Sequence, residues 1–217
     1  MVEVNSISDA PVAKPFQFVG GELCLDFCNT VGGKRGAIAR QRLNSYDDFL
    51  SWSNQAGLLD KNEAESLRRQ STRRPAQART VLRRAIDLRE AIYLILFQVM
   101  QNKSPHAADL AQLNVELARV LNRLQVARSG EGFAWRWIGE AETLDYPLGP
   151  ITRSAADLLM SSERLGHVSR CEGDNCGWLF IDSSKNQSRR WCDMRDCGNR
   201  AKVRRHRLKH RPRKHVH

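Results

Sequence analysis

Four cysteines in the last quarter of the chain constrain its fold more than any other feature. They form two Cys-x4-Cys pairs, Cys171 with Cys176 and Cys192 with Cys197, and fifteen residues separate the pairs. Because Zn2+ binds thiolates and a structural zinc site is closed and tetrahedral, two such pairs match the donor set of one ion. The sequence therefore predicts one structural zinc ion, in a segment whose core is too small to fold without metal.

The residues around the two pairs predict a hairpin followed by a helix. Turn-forming residues lie inside the first pair, and an apolar run over residues 177–181 follows it, as expected for a tight knuckle and the second strand of a hairpin. The second pair lies at the start of a helix predicted over residues 198–210, whose positive end favours thiolate. Ala201 and Leu208 are expected to face the zinc core. This order of elements is the treble-clef arrangement.

Basic residues are concentrated at the same end of the chain. Residues 185–217 hold 13 of the 35 lysines and arginines but only two of the 24 acidic residues, so this segment carries the whole net charge of +11. A neutral body with one basic end is typical of a polyanion-binding protein, because phosphate neutralisation scales with clustered Lys and Arg. The alternative is a solvated tail, which the adjoining metal site disfavours. The predicted nucleic-acid contacts are Arg189, Arg190, Arg195, Arg200, Lys202, Arg204, Arg205, Arg207 and Arg211.

Helical periodicity dominates the chain before residue 164. The clearest pattern follows Pro75, where apolar residues recur at steps of four and three through Val99, and a second long helix is predicted over 104–124. Ser45 resembles an N-cap, and further helices are expected after it, over 61–73 and over 147–162. The hydrophobic content of 41% is enough for a real core.

Two stretches alternate and are predicted to be strands. They cover residues 19–31 and 130–139, and we expect them to pair with each other. Trp135 and Trp137 then belong to the core, since large aromatic side chains at strand alternation are usually buried. Cys24 and Cys28 are interpreted as buried thiols rather than metal ligands.

Three short polar residues follow the first predicted strand and suggest a ligand site. Asp26, Asn29 and Thr30 cluster where this strand ends, and they predict the edge of a small-molecule pocket. The alternative is capping and turn chemistry, which these residue types supply routinely.

The sequence as a whole predicts a mainly α fold with small β elements (α+β). Residues 1–15 are expected to be a flexible lead-in and residues 16–163 a helix-rich domain. Residues 164–211 are predicted to form the treble-clef zinc finger, and residues 212–217 a basic tail.

The motifs of both parts resemble a known family. Gly177-Trp178-Leu179-Phe180, Arg190-Trp191-Cys192 and Cys197-Gly198-Asn199-Arg200 are similar to the CGNR zinc finger of bacterial proteins. Residues 23–30, in one-letter code LCLDFCNT, resemble the opening motif of the ABATE domain that precedes this finger, with Cys28 standing where a small aliphatic residue is expected. The resemblance implies a regulator of transcription, in which a helix-rich domain senses a ligand or stress signal and the finger binds DNA.

Other functions and partners follow from what the sequence lacks or leaves open. The first residues do not form a secretory signal and no apolar run reaches the roughly 20 residues of a spanning helix, so a cytoplasmic protein without a membrane partner is expected. No catalytic constellation is apparent, and a non-enzymatic role is expected. Double-stranded DNA is the expected nucleic acid, with RNA or ribosome binding as the alternative. A small-molecule effector and a homodimer are the other expected partners. His206 and His210 are interpreted as solvated rather than as zinc ligands.

Overall fold

The structure is a computed structural model, and it describes residues 15–36, 39–138 and 143–209. The predicted lead-in, except for Pro15, and the predicted tail lie outside the described residues. The helices are α1 (Leu23–Cys28), α2 (Tyr46–Gln55), α3 (Lys61–Arg73), α4 (Pro75–Val99), α5 (Ala107–Leu121), α6 (Leu148–Leu159), α7 (Ser162–Gly166) and α8 (Asn199–Lys209), and a π-helical turn (Met194–Gly198) directly precedes α8. The strands pair as antiparallel two-stranded sheets: β1 (Val31–Gly32) with β2 (Arg40–Gln41), β3 (Leu124–Ser129) with β4 (Gly132–Trp137), and β5 (Val168–Arg170) with β6 (Leu179–Ile181). The predicted mainly α fold with small β elements is confirmed.

Helix α4 is central to the fold, as its sequence period predicts. Pro75 lies in its first turn, where a missing N–H breaks no helical hydrogen bond. Its buried stripe includes Val81, Ala85, Leu88 and Ile92, and the helix packs against α1, α2, α5 and α6. Burying a side chain of this kind stabilises the fold by about 1.5–3 kcal/mol. Even so, no helix in the described part of the chain is long and apolar enough to cross a membrane.

Capping boxes begin α2 and α3. Ser45 Oγ accepts a hydrogen bond from the N–H of Asp48 at 3.1 Å, and the Asp48 carboxylate accepts one from the N–H of Ser45 at 2.9 Å. Asp60 and Glu63 form the same reciprocal pair at the start of α3. Each box satisfies N–H groups that the first turn leaves free, which stabilises a helix by about 0.5–2 kcal/mol. The helices predicted after Ser45 and over 61–73 are confirmed.

Residues 23–28 form helix α1, so the strand predicted over 19–31 is wrong. Every residue from Cys24 to Cys28 is buried, because α4, α6 and β6 surround the short helix. Burial on all sides removes the polar face that normally reveals a helical period, and six residues then fit strand alternation equally well. The two thiols are core groups, as predicted, and Cys28 Sγ donates to the carbonyl of Arg89 at 3.6 Å.

The second predicted strand exists, but its partner and its burial differ from the prediction. Strand β4 pairs with β3, which begins at Leu124, a residue that was expected to lie in the preceding helix. Gly130 has a φ of 58° in the turn, a left-handed conformation that glycine adopts without strain. The side chains of Phe133 and Trp135 are 71% and 57% exposed, so the prediction that Trp135 is core is wrong, whereas Trp137 is half-buried.

The β5–β6 hairpin lies between two apolar clusters. Val168 and Leu179 belong to the core that the helices build, whereas Phe180 packs against the four cysteines. Side chains alternate between the two faces of a strand, so one hairpin can contribute to both clusters. The C-terminal segment is thus built onto the helical core.

Candidate metal centre and nucleic-acid interface

The four predicted cysteine ligands come together in one buried cluster. The Sγ atoms of Cys171, Cys176, Cys192 and Cys197 all lie within 4.8 Å of one another. The Sγ atom of Cys192 lies 3.8 Å from that of Cys176 and 3.7 Å from that of Cys197. A tetrahedron with zinc–sulfur distances of about 2.3 Å has edges of about 3.8 Å, so the observed separations match a tetrahedral zinc site.

The knuckle, residues 171–176, closes tightly around the first pair. The N–H of Cys171 donates to the carbonyl of Trp178 at 2.8 Å, and that of Cys176 donates to the carbonyl of Gly173 at 3.0 Å. A Cβ atom at Gly173 would lie 3.1 Å from both Cys176 Cβ and Cys197 Sγ. Glycine at this position therefore leaves room for the second pair to approach.

A π-helical turn carries the last ligand, Cys197. Asp193 caps this turn by accepting the N–H of Arg195 at 2.6 Å, and its carbonyl accepts the N–H of Gly198 at 3.0 Å. A Cβ atom at Gly198 would lie 2.8 Å from Met194 Sδ, so the methionine side chain packs directly on this glycine. The helix predicted to begin at Gly198 is therefore preceded by a wider turn, which sequence periodicity could not reveal.

Three of the four thiols are close enough to one another to compete for protons. Hydrogen bonds from Cys176 and Cys192 lower the pKa of Cys171, and hydrogen bonding to Cys171 raises the pKa values of Cys176 and Cys192. Such sharing of protons arises because adjacent buried thiolates repel one another, and a divalent cation removes the conflict by stabilising all four anions. Arg200 adds a further positive group, because its Nη2 lies 3.1 Å from Cys197 Sγ.

His206 lies outside the metal cluster. It is exposed on α8. Among the residues that the structure describes, the four cysteines are the side chains close enough together to hold a metal ion. His210 falls outside the described residues.

The predicted nucleic-acid contacts fall into three groups. Arg189 is half-buried, and its guanidinium donates to the carbonyls of Trp191 and Cys192 and lies 4.3 Å from the ring centre of Phe180. This arginine therefore holds the loop before the second pair together. Arg211 lies outside the described residues. The remaining members are exposed: Arg190, Arg195, Arg200, Lys202, Arg204, Arg205 and Arg207.

Acidic residues of the finger pair with several of the exposed arginines. Arg190 Nε lies 2.7 Å from Glu172, Arg200 Nη2 lies 3.1 Å from Asp196, and Arg204 pairs with Asp174. Arg200 and Arg204 of α8 therefore face the knuckle across a groove of about 580 Å³. The expectation that Leu208 faces the zinc core is wrong: its side chain is 59% exposed, because α8 extends beyond the cluster.

The three residues predicted to edge a ligand pocket are buried and bonded within the protein. Asp26 Oδ1 accepts the N–H of Gly20 at 2.8 Å, and Thr30 Oγ1 donates to the carbonyl of Phe27 and accepts from Arg89. Burial raises the pKa of Asp26 to about 6, although hydrogen bonds from the backbone of Gly20 and Val19 act in the opposite direction and lower it. The polar atoms of this motif therefore hold α1 in place.

Asn29 connects α1 directly to the finger. Its Nδ2 donates to the carbonyl of Leu179 at 2.8 Å, and its Oδ1 accepts the N–H of the same residue at 2.9 Å. Further bonds between the two parts join Trp178 Nε1 to the carbonyl of Val31 at 2.8 Å and the N–H of Ile181 to the carbonyl of Gly20 at 2.7 Å. Sequence reasoning missed this role, since nothing local in the chain points to a partner 150 residues away.

Two family models match the chain, one on each side of residue 165. Residues 21–162 match ABATE, described as "Putative stress-induced transcription regulator", and residues 167–210 match the CGNR zinc finger. No curated protein matches the chain. The second match and the geometry of the four thiols fit one structural zinc ion, as predicted. The first match covers more than half of the chain, which therefore belongs to the ABATE family and ends in a CGNR zinc finger.

Proposed function

We propose that this protein is a DNA-binding transcription regulator. The finger contacts duplex DNA, and the helical domain adjusts the finger in response to a small ligand or stress signal. The observation that carries the proposal is the set of exposed basic residues on a helix that the metal cluster fixes in place. A rigid scaffold of this kind lets basic side chains meet phosphates at little cost in conformational entropy.

The distribution of charge around α8 supports insertion of this helix into a DNA groove. Arg200, Arg204 and Arg205 line the groove beside the knuckle. Arg207 follows Arg200 and Arg204 at steps of seven and three and so continues their stripe, whereas Lys202 lies on the far side of the helix. A helix in the major groove has phosphates on both of its flanks, and arginine can also bond the edge of guanine. Basic residues on both sides of α8 fit that environment.

The chemistry of the metal centre supports a binding role rather than a catalytic one. Four thiolates fill all positions of a tetrahedral zinc site, and a closed site cannot activate water. We therefore propose that the protein is not an enzyme. A zinc-dependent hydrolytic activity of the purified protein would contradict this.

Helix α1 is the proposed route from signal to finger. Before its N-terminal end, Glu22 pairs with Arg164 at 2.8 Å, and the N–H of Cys24 donates to Ser154 Oγ at 3.1 Å. Glu22, Ser154 and Arg164 line a groove of about 490 Å³ between β4 and α6. At the other end of α1, Asn29 bonds the finger. An effector in this groove would move α1, and α1 would move β6.

The effector groove is tested by thermal stabilisation with a panel of small metabolites. We expect a stabilising compound whose effect is lost in Trp135→Ala, a residue of the groove wall, and kept in Phe133→Ala, an exposed aromatic residue of the same strand. Equal responses of both variants to every compound would contradict the assignment.

DNA binding is tested by selecting genomic duplex fragments with the intact zinc-loaded protein. We expect an enriched sequence, and an affinity whose logarithm falls with the logarithm of salt concentration at a slope near −5 if about six phosphates are neutralised. Arg205→Gln with Arg207→Gln should weaken binding, whereas Arg69→Gln with Arg73→Gln, on α3, should not. Tighter binding of folded RNA at matched salt would favour the alternative partner, and a salt-independent affinity would exclude both nucleic acids.

We also propose that the protein binds DNA as a homodimer. A single small module covers only about 600–1,000 Å², so a second copy adds the contact area that specific binding requires. Sedimentation at the concentrations used for binding should give the mass of two chains, alone or on DNA. One chain per duplex in both conditions would contradict the proposal.

A further inference from the structure

The loop between β1 and β2 lies against the zinc finger. We define the basic loop as the described residues 32–36, 39 and 40, which include the last residue of β1 and the first residue of β2. Trp178 Nε1 donates to the carbonyl of Val31, just before the loop, at 2.8 Å. A Cβ atom at Gly177 would lie 3.2 Å from the carbonyl oxygen of Gly33 and 3.4 Å from the Cα of Lys34, so the glycine permits a close approach of the two backbones. The loop thus belongs to the helical domain by sequence and adjoins the finger in space.

The helical domain fixes the basic loop from the other side. Arg35 Nε donates to Glu90 at 2.6 Å, its Nη2 donates to the carbonyl of Cys28 at 2.9 Å, and its guanidinium lies 3.6 Å from the ring centre of Tyr93. Gly33 and Gly36 have φ values of 88° and 82°, which glycine adopts without strain. The position of the loop therefore depends on α1 and α4.

A basic groove of about 510 Å³ separates the loop from the finger. Lys34 and Arg40 line it from the loop, and Arg200 lines it from α8. Lys34 and Arg40 are exposed, and no ion pair joins either to a carboxylate within the described residues. The acidic residues of the groove, Asp174 and Asp196, already pair with Arg204 and Arg200. The groove therefore presents two cations that its own acids do not neutralise.

This groove adjoins the groove beside α8, with which it shares part of its wall. Asp174, Asn175, Cys176, Cys197 and Arg200 line both of them. A polyanionic strand that lies along α8 would therefore pass the knuckle and reach Lys34 and Arg40. Charged groups along one continuous track are how proteins follow a phosphate backbone.

We infer that the basic loop is a second phosphate-contacting element, so that the DNA interface spans both the finger and the helical domain. The inference rests on the proposed DNA binding and adds Lys34 and Arg40 as contacts of the sugar–phosphate backbone. These contacts position the protein on the duplex without reading bases. They also connect DNA affinity to the helical domain, because any shift of α1 or α4 relative to the finger changes the spacing of the two basic elements.

The test compares full-length zinc-loaded variants on one duplex over a range of salt concentrations. Lys34→Gln with Arg40→Gln removes two phosphate contacts, so the slope of log affinity against log salt should become shallower by about 2 and the affinity at low salt should fall about tenfold. Lys61→Gln with Arg73→Gln removes the same charge from exposed positions on α3 and should leave both quantities unchanged. Equal zinc content and equal melting temperatures of the variants establish that folding is intact.

A second readout is direct and needs no substitution. Acetylation of Lys34 by an amine-reactive reagent should slow at least fivefold when the duplex is bound, whereas acetylation of Lys61 should not change. The inference would be overturned if the double variant Lys34→Gln, Arg40→Gln kept the unaltered salt slope while the double variant Arg205→Gln, Arg207→Gln still bound DNA more weakly. The proposed function would then still stand. An unaltered protein that binds no duplex would overturn both.

Discussion

Asn29 acts as a short substitute for a neighbouring strand. Its amide group bonds both the N–H and the carbonyl of Leu179, which is the pattern that a backbone partner would supply to the free edge of β6. Asn29 and Leu179 are both buried, so losing either hydrogen bond leaves a backbone group of β6 without a partner. A single side chain thus satisfies the strand through which the finger joins the helical core.

Replacing Asn29 tests this role. Asn29→Ala should lower the free energy of unfolding by about 1–3 kcal/mol, because it leaves two buried backbone groups unsatisfied. Asn29→Asp keeps an acceptor but cannot donate to the carbonyl, and it should also destabilise. Urea denaturation of the zinc-loaded protein measures both, with Asn62→Ala, exposed on α3, as the control that should change stability by less than about 0.5 kcal/mol. A loss for Asn29→Ala no larger than that of the control would contradict the assignment.

Asp26 should make stability depend on pH. Burial raises its folded pKa to about 6, above the ordinary value of 3.8, so the folded state holds the proton more tightly than the unfolded state. The associated stabilisation is complete below about pH 4 and is lost as pH rises to about 6. Relative to Asp26→Asn, the unaltered protein should lose about 1–2 kcal/mol of unfolding free energy across this window.

Measuring the difference between the two proteins at each pH, with zinc in excess, cancels the acid-induced release of metal from the thiolates. Asn can still accept the N–H of Gly20 through its Oδ1, so the variant changes the charge and keeps this bond. A difference that stays constant from pH 4 to pH 7 would show that folding does not raise the pKa of Asp26 and would contradict the prediction.

At the scale of elements, the sequence predicts those whose signal is local. The four ligands were found because zinc imposes a spacing that persists in the chain, and α4 was found because one of its faces is buried and the other is not. Helix α1 was missed because Cys24 to Cys28 are all buried and leave no exposed polar face, and the partner of β4 was missed because strand pairing is decided by packing across the chain. The role of Asn29 depends on the assembled fold and leaves no local trace.

The finger carries arginines that its own carboxylates partly neutralise. Glu172, Asp174 and Asp196 pair with Arg190, Arg204 and Arg200, respectively. Exposed ion pairs contribute only about 0–1 kcal/mol, so phosphates can replace these carboxylates. The acids therefore reduce the affinity for any polyanion and make binding depend on how many phosphates are correctly placed.

Removing one of these carboxylates should strengthen DNA binding. Asp174→Asn frees Arg204 and should raise affinity about two- to fivefold at low salt, with the gain disappearing at high salt where screening removes the competition. Asp87→Asn, exposed on α4, makes the same change in charge away from the finger and should have no effect. Weaker binding by Asp174→Asn would mean that the carboxylate orients Arg204 for contact instead of competing for it.

At the scale of the whole molecule, the finger and the helical domain share one hairpin. Leu179 and Val168 complete the helical core, and the next residue of β6, Phe180, completes the cysteine cluster. A structural zinc ion contributes apparent binding free energies of about 10–16 kcal/mol in isolated fingers at neutral pH. Because β6 belongs to both clusters, part of this free energy should stabilise the helices as well.

Zinc removal should therefore weaken the helical domain, which lies outside the metal site. We expect amide hydrogen exchange in α1 and in the middle of α4 to accelerate when a chelator removes the metal, since loss of the hairpin takes Val168 and Leu179 out of the core that these helices share. Added zinc should restore slow exchange, whereas added magnesium should not, because thiolates do not bind it well. If exchange in α1 and α4 stayed unchanged while residues 171–198 lost all protection, the two parts would be thermodynamically independent, and α1 could not transmit a signal to the finger through their shared hairpin.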